Sequence, residues 1–134
     1  MALRGIRGAT TVERNDRDEI LARTTELMRH LIERNGVHPE EVASVVFTVT
    51  RDLDAEFPAL AVRSLPGWDD VPLLCAREIP VARALGRCIR VLVHWNTERA
   101  QQEIHHAFLH RARTLRPEWS RSNSPMNQPA RGPR

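Results

Sequence analysis

The sequence predicts an α+β domain of α/β-like character, a mixed β-sheet carrying two main helices. Three observations predict it. Residues 43–50 and 89–94 are β-branched, nearly continuous apolar runs with the length and composition of buried strands. A third segment, after Asp16, has apolar residues at helical spacing between a start and a stop signal. The signals follow one another as strand, helix, strand, helix, strand, strand, the succession of an α/β or α+β domain with a mixed sheet.

Residues 3–9 read as the first strand. Asp16 can cap the helix that follows, with Glu19 three positions on as its capping-box partner. Ile20, Leu27, Met28 and Leu31 then fall on one stripe, which Leu21 and Ile32 widen, and Asn35-Gly36 supplies a left-handed stop. Residues 43–50 form the next strand. A second helix is expected from about residue 53 or 54 to Ser64, with Pro58 in its first turns, where a missing N–H is harmless, and Pro66-Gly67 beyond its end. Residues 72–81, apolar with prolines at both ends, read as loop-like. Residues 89–94 are a strand interrupted only by Arg90, and 103–109 read as a last strand, though their composition would also suit a helix.

The chain has 134 residues, the size of one domain. Residues 1–119 are expected to hold it. Residues 120–134, rich in Ser, Pro and Asn with Met126 as the single large apolar residue, cannot bury enough surface to offset ordering entropy and are expected to be a disordered basic tail. No apolar run approaches the roughly 18 residues of a membrane span, and the first residues lack the apolar stretch of a secretory signal. Cys75 and Cys88 form neither a metal spacing nor a disulfide framework. A cytoplasmic, reducing location is the simplest expectation.

All 20 basic residues are arginine; lysine and tyrosine are absent. Residues 1–120 carry 17 arginines against 17 acids, so the formal charge of +3 comes from Arg121, Arg131 and Arg134 in the tail. The high isoelectric point therefore does not mark a nucleic-acid-binding face on the domain. Without lysine there is no Schiff base, pyridoxal phosphate anchor or P-loop lysine.

Two arginines stand where a solvated charge is unexpected. Arg90 shares a strand face with Cys88 and Leu92, and Arg7 lies between Gly5 and Gly8, which permit close approach of backbone or ligand. A guanidinium fork grips a carboxylate and never deprotonates, so both suit an anion; the bland alternative is that each pairs with a structural carboxylate or faces water. Glu78 could accept a hydrogen bond from a substrate hydroxyl, with the Cys75 thiol nearby, or could merely pair with Arg77 or another arginine. His105, His106 and His110 lack the Glu of a zinc-binding helix motif and make a poor metal site, and no glycine-rich phosphate loop is present. Several arginines, a carboxylate, a thiol and apolar walls suit a small dianion bearing a hydroxyl.

At these residues the chain closely resembles the monofunctional, trimeric chorismate mutases of the AroH class. The resemblance spans about residues 3–119 and rests on Arg4-Gly5-Ile6-Arg7-Gly8-Ala9-Thr10-Thr11-Val12-Glu13, Phe57-Pro58-Ala59 with Arg63, Pro72-Leu73-Leu74-Cys75-Ala76-Arg77-Glu78, Cys88-Ile89-Arg90-Val91 and Leu115-Arg116-Pro117. It implies a homotrimer with a pseudo-α/β-barrel core, active sites in clefts between subunits, and the cofactor-free Claisen rearrangement of chorismate to prephenate, on the way to phenylalanine and tyrosine. No metal, nucleic acid or membrane is expected to take part.

Carried over by position, Arg7 binds a substrate carboxylate and Arg90 faces the ether oxygen of the breaking bond. Glu78 and Cys75 contact the ring hydroxyl. Phe57, Ala59, Leu73 and Leu74 wall the pocket, Arg63 adds positive charge, Ala76 and Arg77 belong to the same block, and Leu115-Arg116 closes it. Phe108 stands where the family usually has tyrosine, and Leu60 where lysine can occur; both changes remove polar contacts at the rim. The competing readings are a non-catalytic trimeric binder of a small dicarboxylate and, more remotely, a nucleic-acid or acidic-surface binder acting through the tail.

Overall fold

The computed structural model describes residues 2–120; the expected tail, apart from Ser120, lies outside them. Five strands form one mixed sheet in the order β3-β2-β4-β1-β5. Its centre is the antiparallel pair of β1 (Ala2–Thr11) and β4 (Cys88–Thr97), in register from Ala2 opposite Thr97 to Thr11 opposite Cys88. On the other side of β4 lies β2 (Val42–Val49), also antiparallel, with an irregularity between Val42 and Ser44. Parallel edge strands complete the sheet: β3 (Leu73–Arg77) on β2 and β5 (Ala107–Phe108) on β1.

Period-2 alternation sorts β4 into two faces. Ile89, Val91, Val93 and Trp95 are buried beneath the main helix α1 (Arg17–Asn35), whose Ile20, Leu27, Met28 and Leu31 form the other half of that core. The opposite face is divided. Toward β5 it is covered by a second cluster of Ala9, Cys88, Phe108 and Ala112, with Leu85, Leu115 and Trp119 against it. Toward the start of β1, Val46, Leu92 and His94 are only half-buried and Leu3 and Leu74 are exposed. No helix among the described residues is long and apolar enough to cross a membrane.

Helix α1 begins and ends as its sequence requires. Asp16 accepts a hydrogen bond from Glu19 N at 3.0 Å, and Gly36, at φ 70°, closes the helix through its N–H to Ile32 O at 2.8 Å. Only half of the expected capping box forms, because the Glu19 carboxylate turns instead to the N–H groups of Glu13 and Arg14, at 2.6 and 3.2 Å.

Three expectations are corrected. The second helix contracts to α2 (Ala59–Arg63), since Asn15 Oδ1 accepts the N–H groups of Asp54 and Ala55 at 3.1 and 3.0 Å and holds that stretch as a turn. The strand expected over 103–109 reduces to the two residues of β5. Asn35, at the end of α1, takes both backbone groups of His105, accepting from its N–H and donating to its carbonyl, each at 2.8 Å. The stretch read as a loop before Glu78 is strand β3, recruited by β2, with Val45 opposite Leu73 and Val49 opposite Arg77. The last helix, α3 (Pro117–Ser120), is a single turn.

Candidate active site

Sheet register brings the arginines together. Arg7 stands opposite Leu92 and Ala9 opposite Arg90, so the two arginines are diagonal neighbours on the divided face, within reach of long side chains. Thr48 of β2 is opposite Arg90 on the other side. Glu78 N donates to Val49 O at 2.9 Å, extending the β3–β2 ladder by one residue. The Glu78 carboxylate then accepts the Thr48 hydroxyl and lies 3.5 Å from Arg90 Nε.

That Arg90 Nε is buried and has no hydrogen-bond partner among the described residues. A buried donor without its hydrogen bond is costly and asks for an acceptor. Below it lies the Cys88 thiol, pushed above its ordinary pKa by burial even though Arg90 opposes the shift.

Electrostatics around Arg7 point the same way. Burial first, then the charges of Arg90 and Arg116, lower its pKa, and only Glu78 acts in the opposite sense. A guanidinium does not deprotonate in a protein, so the lowered pKa registers first the burial of this cation and then the positive charge crowded with it about one carboxylate. An incoming dianion would relieve it. Arg7 Cζ also lies 5.8 Å from the Phe108 ring centroid, and Arg7 N donates to His106 Nδ1 at 2.9 Å. The C-terminal segment closes over this group: Leu115 packs into the Phe108 cluster, Trp119 stacks on His106 at 4.0 Å, and the Arg116 guanidinium lies 3.5 Å above the Trp119 ring.

The remaining expected residues form a separate group at the β3 edge. Phe57, Ala59, Leu60, Arg63, Leu73, Leu74 and Cys75 line a depression of about 350 Å³, and Phe57 is 67% exposed. Cys75 pairs in register with Phe47, on the α1 side of the sheet, whereas Glu78 points to the other side. One chain therefore does not bring Cys75 to Glu78. Ala76 is exposed, and Arg77 is exposed with Nη1 donating to Arg51 O at 3.2 Å.

The structure adds Thr48, His106 and Trp119 to the residues expected from sequence. Thr48 looked like one more β-branched strand residue, and only its register opposite Arg90 marks it. Trp119 ended the expected domain and offered no chemical signal beyond its size. Among the described residues no group of three or more His, Cys, Asp or Glu side chains converges as a metal site. His110 pairs with Glu26 at 2.8 Å, away from His106.

Comparison with known proteins gives the geometry a context. Residues 3–119 match the family model described as chorismate mutase type I. Among curated proteins, the chorismate mutase AroH of Bacillus subtilis (strain 168) is 46% identical over 120 residues, covering 90% of this chain and 94% of that protein. The chorismate mutase AroH of Thermus thermophilus is 49% identical over 117 residues, 87% of this chain and 95% of that protein. Among solved structures, a chorismate mutase from Clostridium thermocellum superposes with a TM-score of 0.80 at 46% identity, covering 83% of this chain and 98% of that one.

Proposed function

The chain belongs to the type I chorismate mutase family, and from that premise we propose how its residues divide the work. The protein is an isomerase of aromatic amino acid biosynthesis that rearranges chorismate to prephenate. Chorismate is a small dicarboxylate with a ring hydroxyl, and its rearrangement is a unimolecular pericyclic step. Catalysis therefore reduces to holding a compact conformer and stabilising the charge that gathers on the ether oxygen.

In this reading Arg7 grips a substrate carboxylate and Glu78 accepts the ring hydroxyl. Arg90 offers its donors to the ether oxygen. The single observation that carries the assignment is the buried Arg90 Nε, close to Glu78 but with no hydrogen bond of its own among the described residues. The test is the loss of chorismate absorbance on adding the purified chain. A folded protein that binds a dicarboxylate but leaves chorismate unchanged would be a non-catalytic binder instead.

The second half of each site comes from a neighbouring subunit of a homotrimer. Two features support this: Phe57, Arg63, Leu74 and Cys75 lie apart from Arg7 and Arg90 on one chain, and apolar residues toward the start of β1 are left uncovered. A closed ring of heterologous contacts would bring one subunit's depression to the next subunit's arginines and cover that face at once. Two variants impaired in opposite halves, Arg7→Gln and Arg63→Gln, should therefore complement each other when unfolded together and refolded as a mixture. Random mixing restores about one quarter of the sites. Activity no higher than the average of the separate variants would place both halves within one subunit. We place the enzyme in the cytoplasm, where its two thiols, free in the described structure, would stay reduced.

Because no proton moves in the chemical step, kcat should be nearly flat from about pH 6 to 9. The buried Cys88 thiol beside Arg90 is pushed upward by burial, the direction that keeps it neutral there. Steady-state rates at saturating chorismate check this, and a steep ionisation near neutrality with a sizeable solvent isotope effect would contradict it.

A further inference from the structure

We propose that Asp52, an exposed residue just beyond β2 that lines one depression with Glu78, is a positioning residue that sets where Arg90 emerges by clamping the start of β4. The inference rests on the Arg90 role proposed above and goes beyond it.

All four backbone groups of the Arg87–Cys88 step are held. Arg87 N donates to both Asp52 carboxylate oxygens, at 3.1 and 2.9 Å, and Arg87 O accepts from Val12 N at 3.0 Å. Cys88 N donates to Thr50 Oγ1 at 3.0 Å, and Cys88 O accepts from Thr50 N at 3.1 Å. The Thr50 hydroxyl in turn donates to Asp52 Oδ1 at 2.6 Å, so carboxylate and hydroxyl form one continuous clamp. Burial alone would raise the Asp52 pKa, but the hydrogen bonds from Thr50 and Arg87 outweigh it and hold the carboxyl below its ordinary value.

The clamp has something to resist. Arg87 sits at φ 46°, in the left-handed region that side chains with a Cβ disfavour, as does Arg83 at φ 67° within the same loop. Gly86 approaches so closely that a Cβ there would lie 2.9 Å from Asp52 Oδ2, so a side chain at that position would push on the carboxylate. Arg90 follows Cys88 by two residues on a strand of period 2, so a shift at Cys88 moves the Arg90 side chain with it. Thr48, two residues before Thr50 on the same face, orients Glu78 against Arg90. One end of β2 therefore positions both charged partners.

The test uses the full-length protein with chorismate, following folding by circular dichroism. Asp52→Ala should lower kcat by about 10- to 100-fold with KM little changed, because a small misplacement of a preorganised group costs rate. Asp52→Asn keeps an acceptor for the Arg87 N–H and should recover most of the loss. Gly86→Ala, which pushes on the carboxylate without removing it, should reproduce the Asp52→Ala profile and carries the test if that variant does not fold. The deciding measurement is Asp52→Ala in the Arg90→Gln background, where it should cost little further activity, since both changes act on one group. Full additivity, a loss confined to KM, or a folded Asp52→Ala enzyme of normal kcat would overturn the proposal while leaving the Arg90 role intact. Normal kcat in Arg90→Gln alone would overturn both.

Discussion

Arg90→Gln is expected to lower kcat by at least about 10²–10³, with the loss concentrated in the chemical step. Carbon–oxygen cleavage runs ahead of carbon–carbon bond formation, so negative charge gathers on the ether oxygen in the transition state. A cation fixed beside that oxygen stabilises the transition state more than the ground state, and only such a differential contact raises kcat. Glutamine keeps a hydrogen-bond donor and drops the charge. Removal of one preorganised neutral donor typically costs about that factor, and loss of a part-buried charge should cost more.

Arg7→Gln makes the comparison. In the proposed reading Arg7 grips a carboxylate present throughout the reaction, so its loss should appear relatively more in KM. Michaelis curves on both variants, with unfolding midpoints in parallel, separate the two roles. A folded Arg90→Gln enzyme of near-normal kcat would move the catalytic charge to another residue.

Phe47→Ala is expected to destabilise the protein by about 3–5 kcal/mol, a large part of the about 5–15 kcal/mol that holds a domain together. Phe47 is fully buried on β2, level with Val91 on β4 and Cys75 on β3, and belongs to the core beneath α1. Truncation leaves a cavity where three strands meet, and a sheet held by register has little room to collapse into it. The midpoint of chemical unfolding, followed at fixed protein concentration, should fall accordingly. Phe57→Ala, at a ring 67% exposed on the single chain, should leave the fold of the chain unharmed and act on substrate binding instead. Equal effects of the two substitutions on stability would mean that the core has been placed on the wrong face.

Much of the fold and of the site was legible in the residues alone. Helix α1 could be bounded at Asp16 and Gly36, because a cap and a left-handed stop act within a few residues of where they stand. Strands β2 and β4 could be placed because β-branched apolar runs need no partner to be recognised. Arg7, Glu78 and Arg90 could be singled out because a charge within an apolar run is a chemical anomaly wherever the run ends up, and the family resemblance then lent them roles.

What escaped the sequence is whatever a distant residue decides. The second helix lost its first half to Asn15, 39 positions from the Asp54 that it holds. The last strand shrank to two residues because Asn35, 70 positions away, takes the backbone groups of His105. β3 became a strand only because β2 offered it an open edge, and the same pairing brought Glu78 to Thr48 and Arg90. The clamp on Arg87 from Asp52 spans 35 positions, and the seat of Arg7 against His106 spans 99. Caps, stops and periodicity are local, so the sequence states them; the satisfaction of each buried N–H and each charge is settled by whichever group the folded chain brings within about 3 Å.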